Sequence, residues 1–340
     1  MEERRKILWL CSWYPGMAEP FNGDFVQRHA RAAAIYHDIY VIHVYADPNR
    51  KINAPITSIS THGGLTEHII EFPKGKNRLA RAISHLRLIR AYKKAVKTFI
   101  REHGLPDLVH VHVPVWAGKI ALWIKWCYGI PFMVTEHWGI YNDIEVHNFK
   151  SKTIWFKKAT KRIFLGASAF LSVSRYIAEG VKRLVTPVDY QLFPNAVDTD
   201  LFFPVDKSGE VFRFIHVSTM VGLKNVESIL RAFESLFLAG KQAELIMVGP
   251  ATSNIIKFAG QLQVLEGSIR FTGQIPYRDV ASEMQSANCL ILFSTIENSP
   301  CVIGEALCCG IPVISSNVGG IPELLNETNG MLVSSLHAED

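Results

Sequence analysis

Short apolar runs alternate with longer amphipathic stretches along the first half of the chain. The runs that are typical of strands are KILWLCS, IYVIHVY, DLVHVHV, PFMVTEH, AFLSVS and YQLFPN. Helical periodicity between several of them is found in FVQRHARAAAIY, LRLIRAYKKAVKTFIREHG and AGKIALWIKWCYG. Because apolar strands alternate with helices, the pattern predicts parallel sheets that are covered by helices on both faces.

The second half repeats this scheme with the strand-like runs FRFIHVS, AELIMVG, SIRFTGQ, NCLILFS, IPVISS and GMLVS. Helices are expected to begin at Val226, Asn254, Tyr277, about Pro300 and Ile321. The stretch PNAVDTDLFFPVDKSGE separates the two series and is rich in Pro, Asp, Ser and Gly, which are typical of loops between elements. The predicted fold class is therefore α/β, with two tandem Rossmann-like, doubly wound domains at residues 1–198 and 199–340. We expect them to face each other across a cleft, because ligands of such sheets bind beyond the carboxyl ends of the strands.

Composition agrees with a two-domain globular protein. The chain has 340 residues, of which 48% are apolar and 20% are charged, so a sizeable core is expected. The N-terminal apolar stretch is interrupted by Ser12 and ends at Pro15, which predicts a buried strand rather than a signal peptide. The sequence contains no run of about 18 apolar residues, so it predicts no membrane-spanning helix. The six cysteines form no CxxC pair, which favours reduced core cysteines over disulfides or a zinc site.

Positive charge is concentrated in two segments that contain no acidic residue. Ten Lys and Arg residues lie in Lys74–Arg101, and six lie between residues 148 and 165, all within Lys150–Arg162. Such runs are often solvated helix faces, but they also fit an anionic membrane surface. Trp155 and Phe156 in the second run fit an amphipathic helix at a bilayer interface. Both interpretations stay open, and no recognition motif supports a nucleic-acid partner.

Two glutamates bracket a predicted strand-to-helix junction. Glu297 follows the run CLILFS, and Glu305 lies about one turn into the next predicted helix, beyond Pro300. A helix N-terminus at this point would attract phosphate, and the two carboxylates could accept hydrogen bonds from two parts of one polar ligand. The alternative is a capping carboxylate and an exposed helix glutamate. The chain contains neither GxxxxGK nor a GxGxxG after a strand, which disfavours P-loop nucleotidases and dinucleotide dehydrogenases.

The flanking residues resemble the retaining glycosyltransferases of family four, which have the GT-B fold. The signature is Glu297, Glu305-Ala306, GIPVIS from Gly310 and GGIPE from Gly319. The resemblance extends to YPGMAEPFNGDFVQRHARA, FPNAVDTDLFFP, HVSTMVGLKNVESILRAF and IRFTGQIP, and so covers most of the chain. It implies transfer of a sugar from a nucleotide-diphosphate sugar to a saccharide or lipid-linked acceptor, in cell-surface polysaccharide or glycolipid synthesis.

The resemblance also implies roles for individual residues. Glu297 would hold hydroxyls of the transferred sugar, His137 would lie near the reacting carbon, and Lys224 would neutralise the leaving diphosphate. Glu305 would bind the ribose hydroxyls. The full set of implied donor contacts is Gly23, Thr219, Lys224, Gly273, Asn298, Ser299, Pro300, Cys301, Val302 and Glu305.

These residues also have simpler interpretations. An isolated lysine is usually a surface residue, and an isolated histidine is more often structural. His110 and His112 alternate along one strand, and we interpret both as structural. The pair Gly319-Gly320 could be a plain turn.

The sequence departs from the family pattern in two places. Thr219 stands where many members have an arginine that pairs with the lysine on the diphosphate, and Arg213 or Arg278 could replace it. The chain ends at Asp340, which predicts that the usual terminal helices are lacking. The loops expected at residues 47–66 and 139–152 carry no acceptor code.

The resemblance implies no metal and no cofactor, and no DxD-type triad lies near the proposed site. We expect a cytoplasmic protein in peripheral contact with the inner face of the membrane. Two alternatives remain open: a nucleotide-sugar-binding protein without transferase activity, and a nucleotide-sugar epimerase or hydrolase on the same fold.

Overall fold

The computed structural model of the protein describes residues 3–142, 148–207 and 211–334. The chain divides into two compact units, Met1–Ala196 and Val197–Asp340, whereas the sequence placed the boundary after Asp198.

Unit 1 is built on an eight-stranded sheet. Its strands are β1 (Lys6–Cys11), β2 (Asp38–Asp47), β3 (Ile56–His62), β4 (Leu65–Pro73), β5 (Leu108–His112), β6 (Phe132–Glu136), β7 (Ala169–Ser172) and β8 (Gln191–Leu192). The order in the sheet is β3-β4-β2-β1-β5-β6-β7-β8. Only the β3–β4 pair of these strands is antiparallel. The helices are α1 (Asp24–Ala34), α2 (Arg78–His103), α3 (Pro114–Tyr128), α4 (Ile154–Gly166) and α5 (Arg175–Leu184).

Unit 2 contains a six-stranded parallel sheet. Its strands are β9 (Phe212–Val217), β10 (Ala243–Val248), β11 (Ile269–Gly273), β12 (Cys289–Leu292), β13 (Val313–Ser316) and β14 (Gly330–Val333), in the order β11-β10-β9-β12-β13-β14. Every pairing in this sheet is parallel. The helices are α6 (Val226–Leu238), α7 (Ser253–Ala259), α8 (Tyr277–Ser286) and α9 (Cys301–Cys308). The predicted pair of Rossmann-like α/β domains is confirmed.

One local expectation was wrong. Residues 47–66 were expected to form a loop, but most of that stretch belongs to the β3–β4 hairpin. The strands escaped notice because β3 is an exposed edge strand and β4 buries polar side chains such as Glu67 and Glu71, so neither shows a clean apolar alternation. The short helix predicted from Ile321 is a single 3-10 turn, Ile321–Glu323.

Side-chain caps fix several helix starts. Asn77, Thr153, Ser174 and Thr252 each accept a hydrogen bond from a backbone N–H in the first turn of α2, α4, α5 and α7 respectively. These residue types satisfy N–H groups that have no partner inside the helix. The cap at Asn77 explains why α2 begins at Arg78, eight residues before Leu86, where the predicted helical stretch starts.

Both faces of each central strand enter a core. On β1, Leu8 and Leu10 pack with α2 and α3, whereas Trp9 and Cys11 pack with α1 on the opposite face. On β10, Ile246 and Val248 enter a different cluster from Leu245 and Met247. The unbroken apolar runs in the sequence therefore reflect strands that are covered on both sides.

Unit 1 also buries four histidines close together: His29 on α1, His110 and His112 on β5, and His137 directly after β6. Ring centroids are 4.1 Å apart for His110 and His112, and 5.4 Å apart for His112 and His137. Burial is the main cause that lowers the pKa of all four rings, to about 3 for His110. The native fold therefore holds these imidazoles in their neutral form.

Acid should destabilise unit 1 through these histidines. Their pKa is lower in the fold than in the unfolded chain, so their contribution to stability is complete above about pH 6.5 and is lost as the pH falls. For His110 the cost should be about 1.4 kcal/mol of unfolding free energy per pH unit, between about pH 6 and pH 4. Burial raises the pKa of Glu136 to about 7. Its protonation therefore stabilises the fold as the pH falls, but this one group opposes four histidines. Urea unfolding that is followed by tryptophan fluorescence measures unit 1, because all seven tryptophans lie within it.

The His110→Asn variant tests this prediction. Its unfolding free energy should change less steeply with pH, by about 1.4 kcal/mol per unit between about pH 6 and pH 4. The matched control is His62→Asn, since His62 is exposed on β3, and it should keep the wild-type slope. Equal slopes for the two variants would contradict the prediction.

Candidate functional site

Glu297 and Lys224 meet at the carboxyl edge of the unit 2 sheet. Lys224 lies in a 3-10 turn, Gly222–Lys224, that follows β9, and Glu297 follows the adjacent strand β12. The Lys224 Nζ atom lies 2.5 Å from Oε1 of Glu297, and Ser294 Oγ donates to the same oxygen at 2.7 Å. Their side chains are only 24% and 10% exposed. The predicted cation and carboxylate therefore form a largely buried ion pair at the edge where ligands bind in such folds.

The backbone of Glu297 is held by the glycine pair. Gly320 N donates to Glu297 O at 3.1 Å. Gly319 has a positive φ of 58°, and a Cβ atom there would lie 1.8 Å from Glu297 O. Only glycine permits this approach. The pair is therefore more than a plain turn, because it fixes the loop that carries Glu297.

Hydrogen bonds also fix the turn that carries Lys224. The backbone N–H of Thr295 donates to Leu223 O at 2.8 Å. His216 bonds Ile291 O through Nδ1 and Ser218 Oγ through Nε2. Burial, together with the nearby charge of Lys224, lowers the pKa of His216 to about 4. A neutral histidine on β9 therefore links this strand to the adjacent strand β12.

Glu305 occupies the first turns of α9 and is buried, with 4% exposure. The phenol of Tyr277, at the start of α8, donates to its Oε1 at 2.8 Å. The alternative of an exposed helix glutamate is therefore wrong for this residue. Pro300 is the N-cap of α9, one position before the helix begins at Cys301.

The other unit 2 residues of the predicted donor set lie along the same edge. Asn298, Ser299, Pro300, Cys301 and Val302 are half-buried between Glu297 and Ile303. Gly273 ends β11 with a φ of 68°, and its carbonyl accepts from the N–H of Gly249 at 2.9 Å. Thr219 is exposed between β9 and the Lys224 turn. The structure thus brings the whole unit 2 set to the carboxyl ends of β9, β11 and β12.

The two arginines considered as replacements at Thr219 occupy different edges of the sheet. Arg213 lies near the start of β9 and pairs with Glu244 at 2.8 Å, at the opposite edge from Lys224. The suggestion that Arg213 replaces the missing arginine is therefore wrong, because Arg213 and Lys224 lie at opposite ends of β9. Arg278 is exposed in the first turn of α8 and lies on the same edge as Lys224.

In unit 1, His137 follows β6 and is buried. Its Nε2 shares a 3.1 Å hydrogen bond with Nδ1 of His112. The backbone N–H groups of His137 and Trp138 both donate to Oε1 of Glu136 at 2.9 Å, and the Tyr141 hydroxyl donates to Oε2 at 2.7 Å. The segment that carries His137 is therefore held by a buried carboxyl group.

Gly23 is the N-cap of α1 and has a left-handed conformation, with a φ of 72°. A Cβ atom there would lie 2.6 Å from the carbonyl carbon of Trp13, so a larger residue does not fit. The structure thus gives Gly23 a packing role within unit 1. Its predicted approach to donor phosphate stays a prediction.

Sequence reasoning missed the carboxylates that order the loop before Gly23. Glu71 on β4 accepts the N–H groups of Met17 and Ala18, at 2.8 and 3.0 Å. Glu67 accepts from the Tyr14 hydroxyl at 2.6 Å and from the Gln27 amide at 2.7 Å. No local pattern marks these residues, because their partners lie about 40 to 54 positions away in the chain.

The described residues contain neither a metal-binding cluster nor a membrane-spanning helix. Across residues 3–142, 148–207 and 211–334, no cluster of three His, Cys, Asp or Glu residues has the arrangement of a metal site. All six cysteines are free thiols. No helix in these same ranges combines the length and the apolar character that crossing a bilayer requires.

Comparison with known proteins identifies the family. Residues 25–201 match the family described as "Glycosyltransferase Family 4", and residues 197–340 match "Glycosyl transferases group 1". TuaC of Bacillus subtilis, which is named as a teichuronic acid biosynthesis glycosyltransferase, is 26% identical over 98% of this chain and 86% of its own length.

Two solved structures share the fold. Sucrose-phosphate synthase from Thermosynechococcus elongatus has a TM-score of 0.74 at 20% identity, over 98% of this chain and 87% of that one. Anabaena HepE in complex with UDP-glucose has a TM-score of 0.67 at 18% identity, over 99% and 87%. The chain therefore belongs to glycosyltransferase family 4 and is built from the tandem Rossmann-like domains of the GT-B fold.

Proposed function

We propose that the protein is a retaining glycosyltransferase that uses a nucleoside-diphosphate sugar as donor and a saccharide or lipid-linked molecule as acceptor, in polysaccharide or glycolipid synthesis. The observation that carries this proposal is the largely buried Lys224–Glu297 pair, which lies on the same sheet edge as Glu305. The name of TuaC and the UDP-glucose complex of HepE support the choice of substrates.

The proposed reaction breaks the bond between the sugar C1 and the diphosphate oxygen and forms a bond between C1 and an acceptor oxygen on the same face. The acceptor proton passes to a donor phosphate oxygen. Negative charge grows on the leaving diphosphate, and Lys224 and the N-terminus of α9 are the groups that would stabilise it. No resident metal or cofactor is required in this scheme, because fixed positive groups supply the charge.

Donor binding should change the partners of the Lys224 ammonium. It contacts Glu297 in the structure, and a diphosphate in the site would compete for the same cation. Glu297 could then turn its carboxylate to the sugar hydroxyls. Its proposed role is to position the sugar and to provide negative charge near C1, where positive charge develops.

Glu305 is proposed to bind ribose hydroxyls, with Tyr277 holding its carboxylate in place. The segment from Asn298 to Val302 and Gly273 would contact the rest of the donor. Thr219 cannot supply the positive charge of an arginine, and Arg278 is the proposed second cation, since it lies on the correct edge.

In unit 1, His137 is proposed to face the reacting carbon, and Gly23 the donor phosphates. Burial holds the pKa of His137 well below its ordinary value, so the ring would act as a neutral hydrogen-bonding group and not as a cation. Glu136 and His112 fix its position.

Thr219 also supports a second candidate function, a nucleotide-sugar-binding protein without transferase activity. A weakened positive charge at the diphosphate would slow departure more than it would weaken binding. Donor binding without acceptor-dependent release of nucleotide would favour this candidate.

Membrane association is proposed for the helical layer of unit 1. On α2, Leu79, Ile83 and Leu86 are 72%, 56% and 53% exposed at a spacing that puts them on one face. On α4, Ile154 and Trp155 are 58% and 78% exposed beside a run of lysines. Exposed apolar side chains among basic residues fit the interface of an anionic membrane. We therefore propose a cytoplasmic protein at the inner face of the membrane.

Removal of the Glu305 carboxylate should abolish donor binding. A panel of nucleoside-diphosphate sugars is screened by thermal shift, and at least one should raise the Tm of the wild type. Glu305→Ala should lose this shift, because the ribose contact disappears and Tyr277 loses its partner. Glu266→Ala is the matched control, since Glu266 is exposed elsewhere in unit 2.

With the active donor, NMR of the product should show a retained anomeric configuration, and inversion would refute the proposed mechanism.

Gly319→Ala should disrupt the position of Glu297. The added Cβ would overlap Glu297 O, so the loop has to move, and donor affinity should fall at least about tenfold, as expected when a charged contact is lost. Gly240→Ala is the control, because Gly240 also has a positive φ but its Cβ would meet nothing within 4 Å. If both variants bind donor equally well, the glycine pair does not position Glu297.

Charge reversal on α4 should weaken membrane binding. Sedimentation with vesicles that contain phosphatidylglycerol should recover the wild type, and neutral phosphatidylcholine vesicles should recover much less. Lys158→Glu/Lys161→Glu should partition at least about tenfold more weakly, since each basic residue contributes about 1 kcal/mol at such a surface. The control, Lys241→Glu/Lys257→Glu, makes the same charge change on exposed residues of unit 2. Equal recovery with both vesicle types would argue against the proposal.

A further inference from the structure

We propose that unit 1 contains a separate anion site, which binds a phosphate or diphosphate group. The site is a cavity of about 540 Å³ that is lined by the four basic side chains Arg50, Lys74, Lys76 and Arg81, together with Asn49 and Gly75. The inference rests on the proposed function in one respect: we assign the bound group to the acceptor of the glycosyl transfer.

The cavity lies where two neighbouring parallel strands end. β2 ends at Asp47 and β4 ends at Pro73, and these two residues are paired in the sheet. The chain segments that follow them, 48–50 and 74–76, form the walls, and Arg81 comes from the first turn of α2. Lys74 N donates to Asp47 O at 2.8 Å and ties the two walls together. The site is therefore on the carboxyl edge of the sheet, the edge on which Rossmann-like folds bind ligands.

Positive charge in this cavity is not balanced by the protein. No acidic residue lines it, and within the described ranges none of the four cations forms an ion pair. The nearest carboxylate in sequence, Asp47, is fully buried and accepts the N–H groups of Asn49 and Ile52. A lining that carries only positive charge lacks a counter-charge and attracts anions. An anionic ligand would supply that charge.

The wall formed by residues 74–76 is held against α2. Gly75 N donates to Ser84 Oγ at 3.0 Å, and a Cβ atom at Gly75 would lie 2.4 Å from Ala80. Asn77 caps the helix by accepting the N–H of Ala80. Arg50 has a positive φ of 54°, a conformation that is uncommon for this residue type. The cations are thus attached to a backbone that is already ordered, which lowers the entropic cost of binding.

The chemistry of the lining favours phosphate. Two guanidinium and two ammonium groups can together donate hydrogen bonds to several oxygens, which suits phosphate or diphosphate better than a single carboxylate. The cavity volume exceeds that of one inorganic phosphate, which leaves room for a diphosphate.

The position relative to His137 indicates the acceptor as the source of this group. In the sheet, β2 and β6 are separated by β1 and β5, which corresponds to about 14 Å at the usual strand spacing. His137 follows β6 on the same edge. A molecule that reached both places would have to be extended, with an anionic group at one end and the accepting hydroxyl at the other. A phosphate- or diphosphate-linked saccharide has this form.

The first test is calorimetric titration of the full-length protein with inorganic pyrophosphate. All variants carry Lys224→Gln, so that the proposed donor site does not contribute. Arg50→Gln/Lys74→Gln should bind pyrophosphate at least about tenfold more weakly, because charged hydrogen bonds are lost. Lys94→Gln/Lys97→Gln is the matched control, since it removes two charges from exposed positions of α2 outside the cavity. Equal affinities for the two double variants would overturn the proposal. Arg81→Gln provides a second variant if the first fails to fold.

The second test identifies the source of the phosphate. With a soluble diphosphate-linked saccharide as acceptor, the cavity variants in the otherwise wild-type chain should raise KM at least about tenfold and leave kcat unchanged, whereas the unphosphorylated saccharide should show no difference. If the cavity instead binds lipid headgroups, the variants would no longer bind phosphatidylglycerol vesicles, and their KM for the acceptor would equal that of the wild type. That result would refute the assignment to the acceptor.

The two proposals fail in different ways. If no nucleotide sugar binds but pyrophosphate binding still depends on Arg50 and Lys74, the transferase function fails and the anion site stands. If the donor binds through Glu305 but the cavity variants match their control, the anion site fails and the transferase function stands.

Discussion

The contact between Lys224 and Glu297 is the interaction on which the candidate site depends. Both side chains are largely buried, and each is the counter-charge of the other. The pair needs the ends of β9 and β12 side by side, and it needs the Gly319 backbone against Glu297. A site that holds opposite charges in this way is prepared for a ligand that carries both a diphosphate and hydroxyl groups.

Unit 1 uses buried polar groups for a comparable purpose. Glu136 receives three hydrogen bonds from the segment around His137, and Glu71 receives two backbone N–H groups from the loop after β1. Each carboxylate orders a chain segment that regular secondary structure leaves without partners. The histidines beside them stay neutral because they are buried. The carboxyl edge of this sheet thus combines fixed loops with groups that can form hydrogen bonds.

Much of this organisation could be predicted from the sequence, and the omissions have physical causes. The central strands gave apolar runs because they are covered on both faces, whereas β3 and β4 gave none, because one is exposed and the other buries polar side chains. Glu297 and Glu305 stood out because their spacing around a strand-to-helix junction is a local pattern. Ser294 and Tyr277, which hold the two glutamates, are isolated polar residues with no local signal.

The sequence by itself determined the two α/β domains, the family and the set of candidate donor residues, since periodicity and motif spacing are properties of neighbouring positions. Only the tertiary structure decided which partners these residues have. It paired Lys224 with Glu297, excluded Arg213 by placing it at the opposite edge, and gathered Arg50 and Lys74 around one cavity. Such contacts join residues that are distant in the chain, and their geometry follows from the order and register of strands, which no local pattern contains.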